Sequence, residues 1–372
     1  MTRKINLFRK FSLVYLAVIA LFLTIPASLS ASGPQEGAVA GTEDHGGAGK
    51  DPKKSINIAE IAFEHILDSH SWHLWGEGHE AVAIPLPVIL YSTTEGLQLF
   101  MSSRFEHGHA SYKGYSLHED RIVSANPAET IYDFSITKNV TQMFISAIIL
   151  LWLFTSIARA YKSQGVSSAP KGKQSFFEPL IVFVRDDIAK GNIGHGSDKY
   201  VPYLLTVFFL ILINNVFGLI PIGANLTGNI AFTLVLSVFT LIVVNINGNK
   251  HYWSHIFLPN APKAIWPVLI PIEIVGILTR PFALMIRLFA NIAAGHIIVI
   301  SLIGLIFIFK SYAVAPISIA FALFIDVLEC LVAFLQAYIF TMLTALFIGS
   351  AVGDHNEDGA HTTDDELSGD KH

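Results

Sequence analysis

Charged residues are scarce in this chain: they make up 14% of its 372 residues, whereas hydrophobic residues make up 52%. A soluble domain carries about 25% charged residues, so this composition excludes an ordinary water-soluble protein. The net charge is −5 and no long basic run is present, which argues against nucleic acid as a partner because phosphate backbones are bound by clustered lysine and arginine. The sequence therefore predicts a protein of the lipid bilayer.

Cysteine is almost absent as well, since Cys330 is the only one. A single cysteine excludes disulfides within the chain, CxxC zinc sites and thiol chemistry that needs a resolving partner. The phosphate-binding pattern GxxxxGK[ST] is also missing, so the chain itself is expected to bind no ATP. We predict no catalytic residue, no cofactor and no metal.

The first 31 residues are typical of a signal peptide. Four basic residues precede an apolar run over 11–25, and the small residues ASLSAS follow it. Cleavage is expected near Ser30 to Ser32, and an uncleaved N-terminal anchor is the alternative. Either way, the residues that follow are exported.

Three further segments are polar or mixed. Residues 32–55 are rich in glycine, alanine, serine and charge, which is typical of a flexible linker. Residues 56–138 contain short alternating runs such as AVAIPLPVILYS, so we predict a small extracytoplasmic domain of strands and turns. Residues 354–372 form an acidic tail that is expected to be disordered.

Five apolar stretches are long enough for membrane helices, because a hydrocarbon core about 30 Å thick takes about 20 helical residues. They cover about 139–159, 201–221, 229–247, 265–309 and 315–352. The fold class is therefore predicted as all-α and polytopic over 139–353, with the small mixed domain in front. Lysine and arginine are concentrated after the first stretch, which places that loop and the C-terminus in the cytoplasm.

Charged residues inside these stretches are candidates for function, because each costs several kcal/mol to insert. Arg287 lies in LTRPFALMIRLFANIAAGHIIV, and its guanidinium cannot lose its proton below about pH 12, so it needs a carboxylate or water. At 100° per residue, Arg287 shares a helical stripe with Arg280, Leu284 and Asn291, whereas His296 falls on the opposite side.

The last stretch has a second stripe of polar character. It consists of Asp326, Glu329, Ala333 and Gln336, at spacings of three, four and three. Histidine and buried carboxylates take up and release protons, amides hold water, and a fixed arginine forces a passing carboxylate to ionise. These residue types predict proton conduction rather than bond-making chemistry.

Purely structural roles remain open alternatives for several of these charged residues. Lys310 is interpreted as an interfacial anchor. Arg280 is interpreted equally well as a functional charge or as a capping or snorkelling residue, and His296, taken without the Glu329 stripe, equally well as a functional or a packing histidine. Two rival functions are a stand-alone cation or metal transporter and an exported binding protein with a membrane anchor. The transporter would show an internal repeat, which is not seen, and the anchored protein leaves Arg287 without a role.

Residues 174–352 resemble subunit a of F-type ATP synthases, the stator beside the rotating ring of c subunits. The resemblance is carried by SFFEPLIVFVRDDIAKGNIG, YVPYLLTVFFLILINNVFGLIP, IEIVGILTRPFALMIRLFANIAAGH and LECLVAFLQAYIFTMLTALFIGSA. It implies two long tilted helices against the c ring. It also implies a non-catalytic channel subunit of the bacterial inner membrane, with the N-terminal domain periplasmic.

The resemblance also implies roles for single residues. Arg287 matches the family's essential arginine, Asn291 the asparagine after it, and Gln336 a glutamine near that arginine. His296 and Glu329 match a family pair in which one position is histidine and the other glutamate. Supporting or uncertain positions are Glu273, Arg280, Asp326 and Asn229, and Ala290 and Asn229 depart from the family's usual glycine and aspartate.

The implied partners are the c-subunit ring, the b-subunit peripheral stalk, the rest of the synthase, protons and the bilayer. H⁺ or Na⁺ coupling and the ring size are left open. The exported segment resembles an N-terminal extension of the Bacteroidetes branch. Its histidines are interpreted as solvated or buffering, with zinc binding or a place at the channel's outer mouth as alternatives: His65, His70, His73, His79, His107 and His109.

Overall fold

A computed structural model describes most of the chain from Asp68 to Gly353. The described residues are 68–75, 82–108, 110–118, 121–126, 129–164, 172–194, 196–220, 223–258, 262, 265–309 and 314–353. The predicted signal peptide, the linker, residues 56–67 and the acidic tail lie outside the described residues. The side chain of His296 lies outside them as well.

The described residues of the N-terminal part form seven short strands, as its alternating runs suggest. They are β1 Ser71–Trp75, β2 Val82–Pro85, β3 Pro87–Ser92, β4 Gly96–Met101, β5 Tyr115–His118, β6 Arg121–Ser124 and β7 Ile131–Asp133. All pairings are antiparallel: β1 with β2, β5 with β6, and a three-stranded sheet in the order β4-β3-β7. Its small core contains the buried side chains of Val88, Leu90, Phe105 and Tyr115.

Seven helices follow the strands in the described part of the chain. They are α1 Lys138–Gln164, α2 Lys173–Phe183, α3 Val201–Gly218, α4 Ile230–Ile246, α5 Lys250–Phe257, α6 Trp266–Phe309 and α7 Val314–Val352. A π-helical segment, Val184–Lys190, and a last turn, Gly191–Ile193, extend α2. The apolar stretches correspond to α1, α3, α4, α6 and α7, whereas α2 and α5 lie between those stretches.

Four of these helices, α1, α3, α6 and α7, are long and apolar enough to cross a membrane, and α4 has 17 residues. The 44 residues of α6 and the 39 of α7 are about 66 Å and about 58 Å long at about 1.5 Å per residue. Both lengths are about twice the hydrocarbon thickness. The two helices therefore tilt steeply or extend beyond the bilayer.

The helices pack around α3, whose side chains are buried over most of its length. α7 packs on α3 and on α6, and α6 packs on α4. The end where α1 begins, α3 ends and α4 begins is called the outer end, and the opposite end is called the inner end. At the inner end, the Asn249 N–H donates to the Ala351 carbonyl at 2.9 Å, which joins the start of α5 to the last turn of α7.

Hydrogen bonds to the first turn of α1 join the strand domain to this helix. Oδ1 of Asp68 accepts from the backbone N–H of Asn139 at 3.1 Å, and the N–H of Lys138 donates to the Ser69 carbonyl at 2.9 Å. These bonds satisfy two N–H groups that a helix start leaves without intrahelical partners. Burial raises the pKa of Asp68, against the lowering effect of its hydrogen bonds with Thr137 and Asn139.

Candidate functional site

Arg287 lies on the flank of α6 that faces away from the other helices. Leu284 and Leu288, at 2% and 0% exposure, form the packed face of α6, whereas Arg287 and Asn291 are exposed. The predicted stripe is thus split: Leu284 turns into the protein and Arg287 turns outward, because the stripe lies along the edge of the packed face. The permanently charged Arg287 side chain therefore lies on the outer surface of the helix group, where a neighbouring chain or lipid can contact it.

The predicted stripe on α7 turns gradually into the protein. Asp326 is exposed, Glu329 is half-buried, and Ala333 and Gln336 are buried at 1% and 3% exposure. The Ala333 carbonyl accepts a hydrogen bond from Nδ2 of Asn215 on α3 at 2.9 Å. The stripe therefore brings an amide, Gln336, into the interior and leaves one carboxylate, Glu329, at its edge.

Glu329 lies directly against the backbone of α6 at Gly295. A Cβ atom placed on Gly295 would be 2.3 Å from Oε1 of Glu329 and 2.7 Å from its Cδ. Only glycine leaves room for a carboxylate this close to a helix backbone. Gly295 is the residue before His296, so α6 and α7 approach each other where the titratable pair was predicted. The contact between the His296 and Glu329 side chains stays a prediction.

Buried amides and hydroxyls are concentrated toward the outer end of the helices. Nδ2 of Asn214 donates to Oγ of Ser146 at 3.3 Å, which connects α3 to α1. Several buried polar atoms in this region have no hydrogen-bond partner among the described residues; they belong to Asn139, Gln142, Asn214, Asn215, Asn225 and Thr227. Buried polar groups need hydrogen bonds, and roomy polar sites obtain them from water. These residues were not predicted to be functional, although polar amides inside apolar stretches were a usable signal.

Asn229 has a local structural role. Its Oδ1 accepts from the N–H groups of Ala231 at 2.9 Å and Phe232 at 3.3 Å, so it is the N-cap of α4. Asparagine is among the preferred residues at this position. Helix capping explains why a polar residue occurs here.

A second polar region lies at the inner end. A cavity of about 200 Å³ is lined by His251 and Tyr252 of α5, Ile256, Glu273, Ile277, Arg280 and Ser350. The Arg280 guanidinium carbon lies 5.2 Å from the ring centroid of Phe347. Arg280 is seven residues before Arg287, or about 10 Å along α6. Arg280 thus lies in the wall of a polar cavity, and whether it acts in function or only as a capping or snorkelling residue stays a prediction.

The side chains of the histidines in the N-terminal segment lie mostly outside the described residues. Nε2 of His70 lies 2.8 Å from Oδ2 of Asp133. Burial acts to raise the pKa of Asp133, but its hydrogen bonds with His70 and Ser135 outweigh burial and lower it. Among the described residues, no group of three or more histidine, cysteine, aspartate or glutamate side chains is arranged to hold a metal.

Comparison with known families identifies the helical part. The model of the ATP synthase A chain family matches residues 140–349, which is more than half of the chain. The chain belongs to this family. Residues 61–143 match a domain of unknown function (DUF8433), so the two matched ranges meet in the first turns of α1. The predicted resemblance to this family is confirmed. The family and the long apolar helices of the chain show that it is a membrane protein.

Relatives in the ATP synthase A chain family are similar over much of the chain. An ATP synthase subunit a of Chloroherpeton thalassium is 48% identical over 234 residues, covering 61% of this chain and 70% of the relative. One from Chlorobium phaeobacteroides (strain BS1) is 51% identical over 238 residues, covering 62% and 70%. One from an Anaeromyxobacter species is 38% identical over 328 residues, covering 85% and 76%.

Proposed function

We propose that this chain is the proton-translocating stator subunit, subunit a, of an F-type ATP synthase. It provides two half-channels and the arginine that couple proton flow to rotation of a c ring and to ATP synthesis. The family and the names of the relatives support this function. The observation that carries it is the exposed Arg287 on an apolar helix, between buried amides toward the outer end and a polar cavity at the inner end.

The outer half-channel begins among the buried amides of α1 and α3. Water bound to their unsatisfied atoms carries protons from the periplasmic side toward Glu329 and His296. Gln336 lies on the α7 stripe and Asn291 on the stripe of Arg287, and both amides hold water without titrating. From Glu329 and His296 the proton passes to an acidic residue of the c ring, which belongs to another chain.

Arg287 acts on that acid through its fixed charge. Two opposite unit charges about 4 Å apart attract each other by about 4 kcal/mol at an effective dielectric constant of about 20. This energy corresponds to about a thousandfold loss of proton affinity for a carboxylic acid that approaches the arginine. The arginine therefore promotes proton release on one side and blocks direct proton passage between the half-channels.

The inner half-channel is the cavity beside Arg280. Glu273 and His251 make its wall polar, so that it can hold water, and the fixed charge of Arg280 repels protons that would remain next to Arg287. Asp326, which is exposed at the other end of the α7 stripe, serves the periplasmic side. These supporting roles rest on position and charge.

The chain is a non-catalytic part of a larger complex. Its proposed partners are the c ring, the b-subunit peripheral stalk and the remaining synthase subunits. The basic segment after α1 supports a cytoplasmic position for α2 and the C-terminus, with the strand domain in the periplasm. The signal peptide over 1–31, the linker over 32–55, the domain over 56–138 and the tail over 354–372 remain parts of this proposal.

The decisive test replaces Arg287 by alanine in inverted membrane vesicles. ATP-driven proton pumping is expected to be lost, while ATP hydrolysis by the detached catalytic head continues. Phe282→Ala is the matched control, since Phe282 is an exposed apolar residue on the same helix. Pumping retained by Arg287→Ala would contradict the role, and purification of the chain without small c subunits would contradict the stator function.

A further inference from the structure

The three-stranded sheet β4-β3-β7 has one covered face and one exposed apolar face. Val88 and Leu90 of β3 point into the small core of the domain. The alternate residues point the other way, and Leu97 and Leu99 are 60% and 63% exposed. We call this side the outer sheet face; it consists of Pro87, Ile89, Tyr91, Leu97, Leu99, Met101, Tyr132, Phe134 and Ile136.

The strand register arranges the outer sheet face in three rows. Pro87 pairs with Met101, Ile89 with Leu99, and Tyr91 with Leu97. On the other side of β3, the N–H of Ile136 donates to the Pro87 carbonyl at 3.1 Å, the N–H of Phe134 donates to the Ile89 carbonyl at 2.9 Å, and Tyr132 pairs with Tyr91. Each row thus contains one residue from each strand segment, and successive rows are about 6.6 Å apart.

These rows are held at a fixed distance from the start of α1. The hydrogen bonds of Phe134 and Ile136 continue the sheet to two residues before Lys138, and Asp68 and Ser69 hold the first helical turn. From Lys138 to Arg159, α1 is about 31 Å long, which matches the hydrocarbon thickness and places Lys138 at the outer membrane interface. Phe134 is four residues away, so it lies within about 13 Å of that interface.

The rows become more polar with distance from α1, as expected for a surface that lies on a membrane beside that helix. The two rows nearest to α1 contain only aliphatic residues, proline, methionine and Phe134. The farthest row contains Tyr91 and Tyr132, whose ring centroids are 6.5 Å apart, and the polar turn at Thr93 to Glu95 lies beyond it. Tyrosine is enriched at the headgroup level, where one end of the side chain is apolar and the other is hydrated.

We propose that the outer sheet face rests on the outer leaflet of the bilayer, with its first two rows among the lipid headgroups and upper acyl chains. The occupant is a lipid surface because the face is continuous with the point where α1 enters the membrane and becomes more polar away from it. Contiguous exposed apolar side chains can mark an interaction site. Contact with lipid holds the strand domain and the outer end of α1, with its buried amides, in one orientation relative to the membrane.

The test measures the depth of spin labels in the full chain, assembled in its synthase and reconstituted in phosphatidylcholine and phosphatidylglycerol vesicles. Cys330→Ser provides a cysteine-free background, and Leu99→Cys, Leu97→Cys or Val123→Cys introduces the label. Val123 is the matched control because it is an exposed aliphatic strand residue of the β5-β6 hairpin, outside the outer sheet face. Collision rates with oxygen, which partitions into lipid, and with a water-soluble nickel chelate are measured at each position.

At position 99 the ratio of oxygen to nickel collisions is expected to be several times that at position 123, with position 97 between them because it is one row farther from the membrane. A ratio at position 99 equal to that at position 123 would overturn the proposal. Low collision rates with both reagents at position 99 would also overturn it, since a protein segment would then cover the face. Labels that do not disturb assembly are identified by co-purification of the intact synthase.

Discussion

Gly295→Ala is the substitution that tests the candidate site most directly. The new Cβ would lie 2.3 Å from Oε1 of Glu329, and an ordinary contact of this kind is about 3.4 Å, so the carboxylate must move by about 1.1 Å. The displaced atoms form the end of a flexible side chain, so the helices themselves can stay in place. Alanine is also about 1 kcal/mol more favourable than glycine inside a helix.

The expected result is therefore loss of proton flux without loss of assembly. A misplacement of about 1 Å costs up to about a hundredfold where geometry governs proton transfer. The assays are ATP-driven proton pumping in inverted vesicles and passive proton conduction after the catalytic head has been removed. A second substitution, Glu329→Asp, shortens the side chain by one methylene and is expected to restore part of the flux in the Gly295→Ala background.

Gly276→Ala is the matched control on the same helix. A Cβ atom at Gly276 meets no atom within 4 Å, so this variant gains the same helix propensity without displacing a side chain. Its proton flux should equal that of the parent. If Gly295→Ala conducts protons as well as Gly276→Ala does, then the position of the Glu329 carboxylate does not matter and the proposed path is wrong at this point.

Two other predictions concern stability. Asn229→Ala removes the N-cap of α4 and should cost about 1 kcal/mol, measured as earlier thermal dissociation of the complex, while proton pumping is retained; lost pumping in an assembled complex would instead place Asn229 in the path. Hydrogen bonds from Ser124, Ser92 and Thr94 lower the pKa of Glu129 from 4.5 to about 2. The folded strand domain thus binds fewer protons than the unfolded chain, so its stability is fully present above about pH 4.5 and falls as the pH approaches 2. Hydrogen-exchange protection factors of β3 amides should decrease between pH 5 and pH 3, and Glu129→Gln should remove part of that decrease, the rest coming from Asp133; an equal decrease in both proteins would contradict the assignment.

The apolar helices were predictable because the length and the mean hydropathy of a stretch can be read from consecutive residues, without knowledge of the tertiary contacts. Each of the five stretches contains one helix of the structure, and the ends differ by a few residues where local bonding decides. α4 begins at Ile230 because Asn229 caps it, and α3 ends at Gly218, whose Cβ position is 3.2 Å from Oδ1 of Asn225 in the following turn. α2 was missed because its polar and charged residues were interpreted as a loop.

The site was only partly predictable, because it depends on the rotation of helices relative to each other. The 100° rule grouped Leu284 with Arg287, but it does not reveal that the packed face of α6 ends between them. Nor does spacing along α7 reveal that Glu329 lies against Gly295. The buried amides Asn214 and Asn215 were not predicted because an uncharged amide costs less free energy to bury than a charge does, so it stands out less in an apolar stretch.

The outward position of Arg287 explains why the chemistry of the site is incomplete in one chain. Glu329 and the outer amides are half-buried or buried and contact residues of this chain, whereas Arg287 and Asn291 are presented at the side of the helix group. An arginine kept ionised in an apolar environment requires a carboxylate or water, and a carboxylate on a second chain can arrive and leave as that chain moves. A carboxylate on this chain would hold the arginine permanently and abolish the exchange. In the proposed function, exposure of Arg287 is thus what rotation of a neighbouring ring requires.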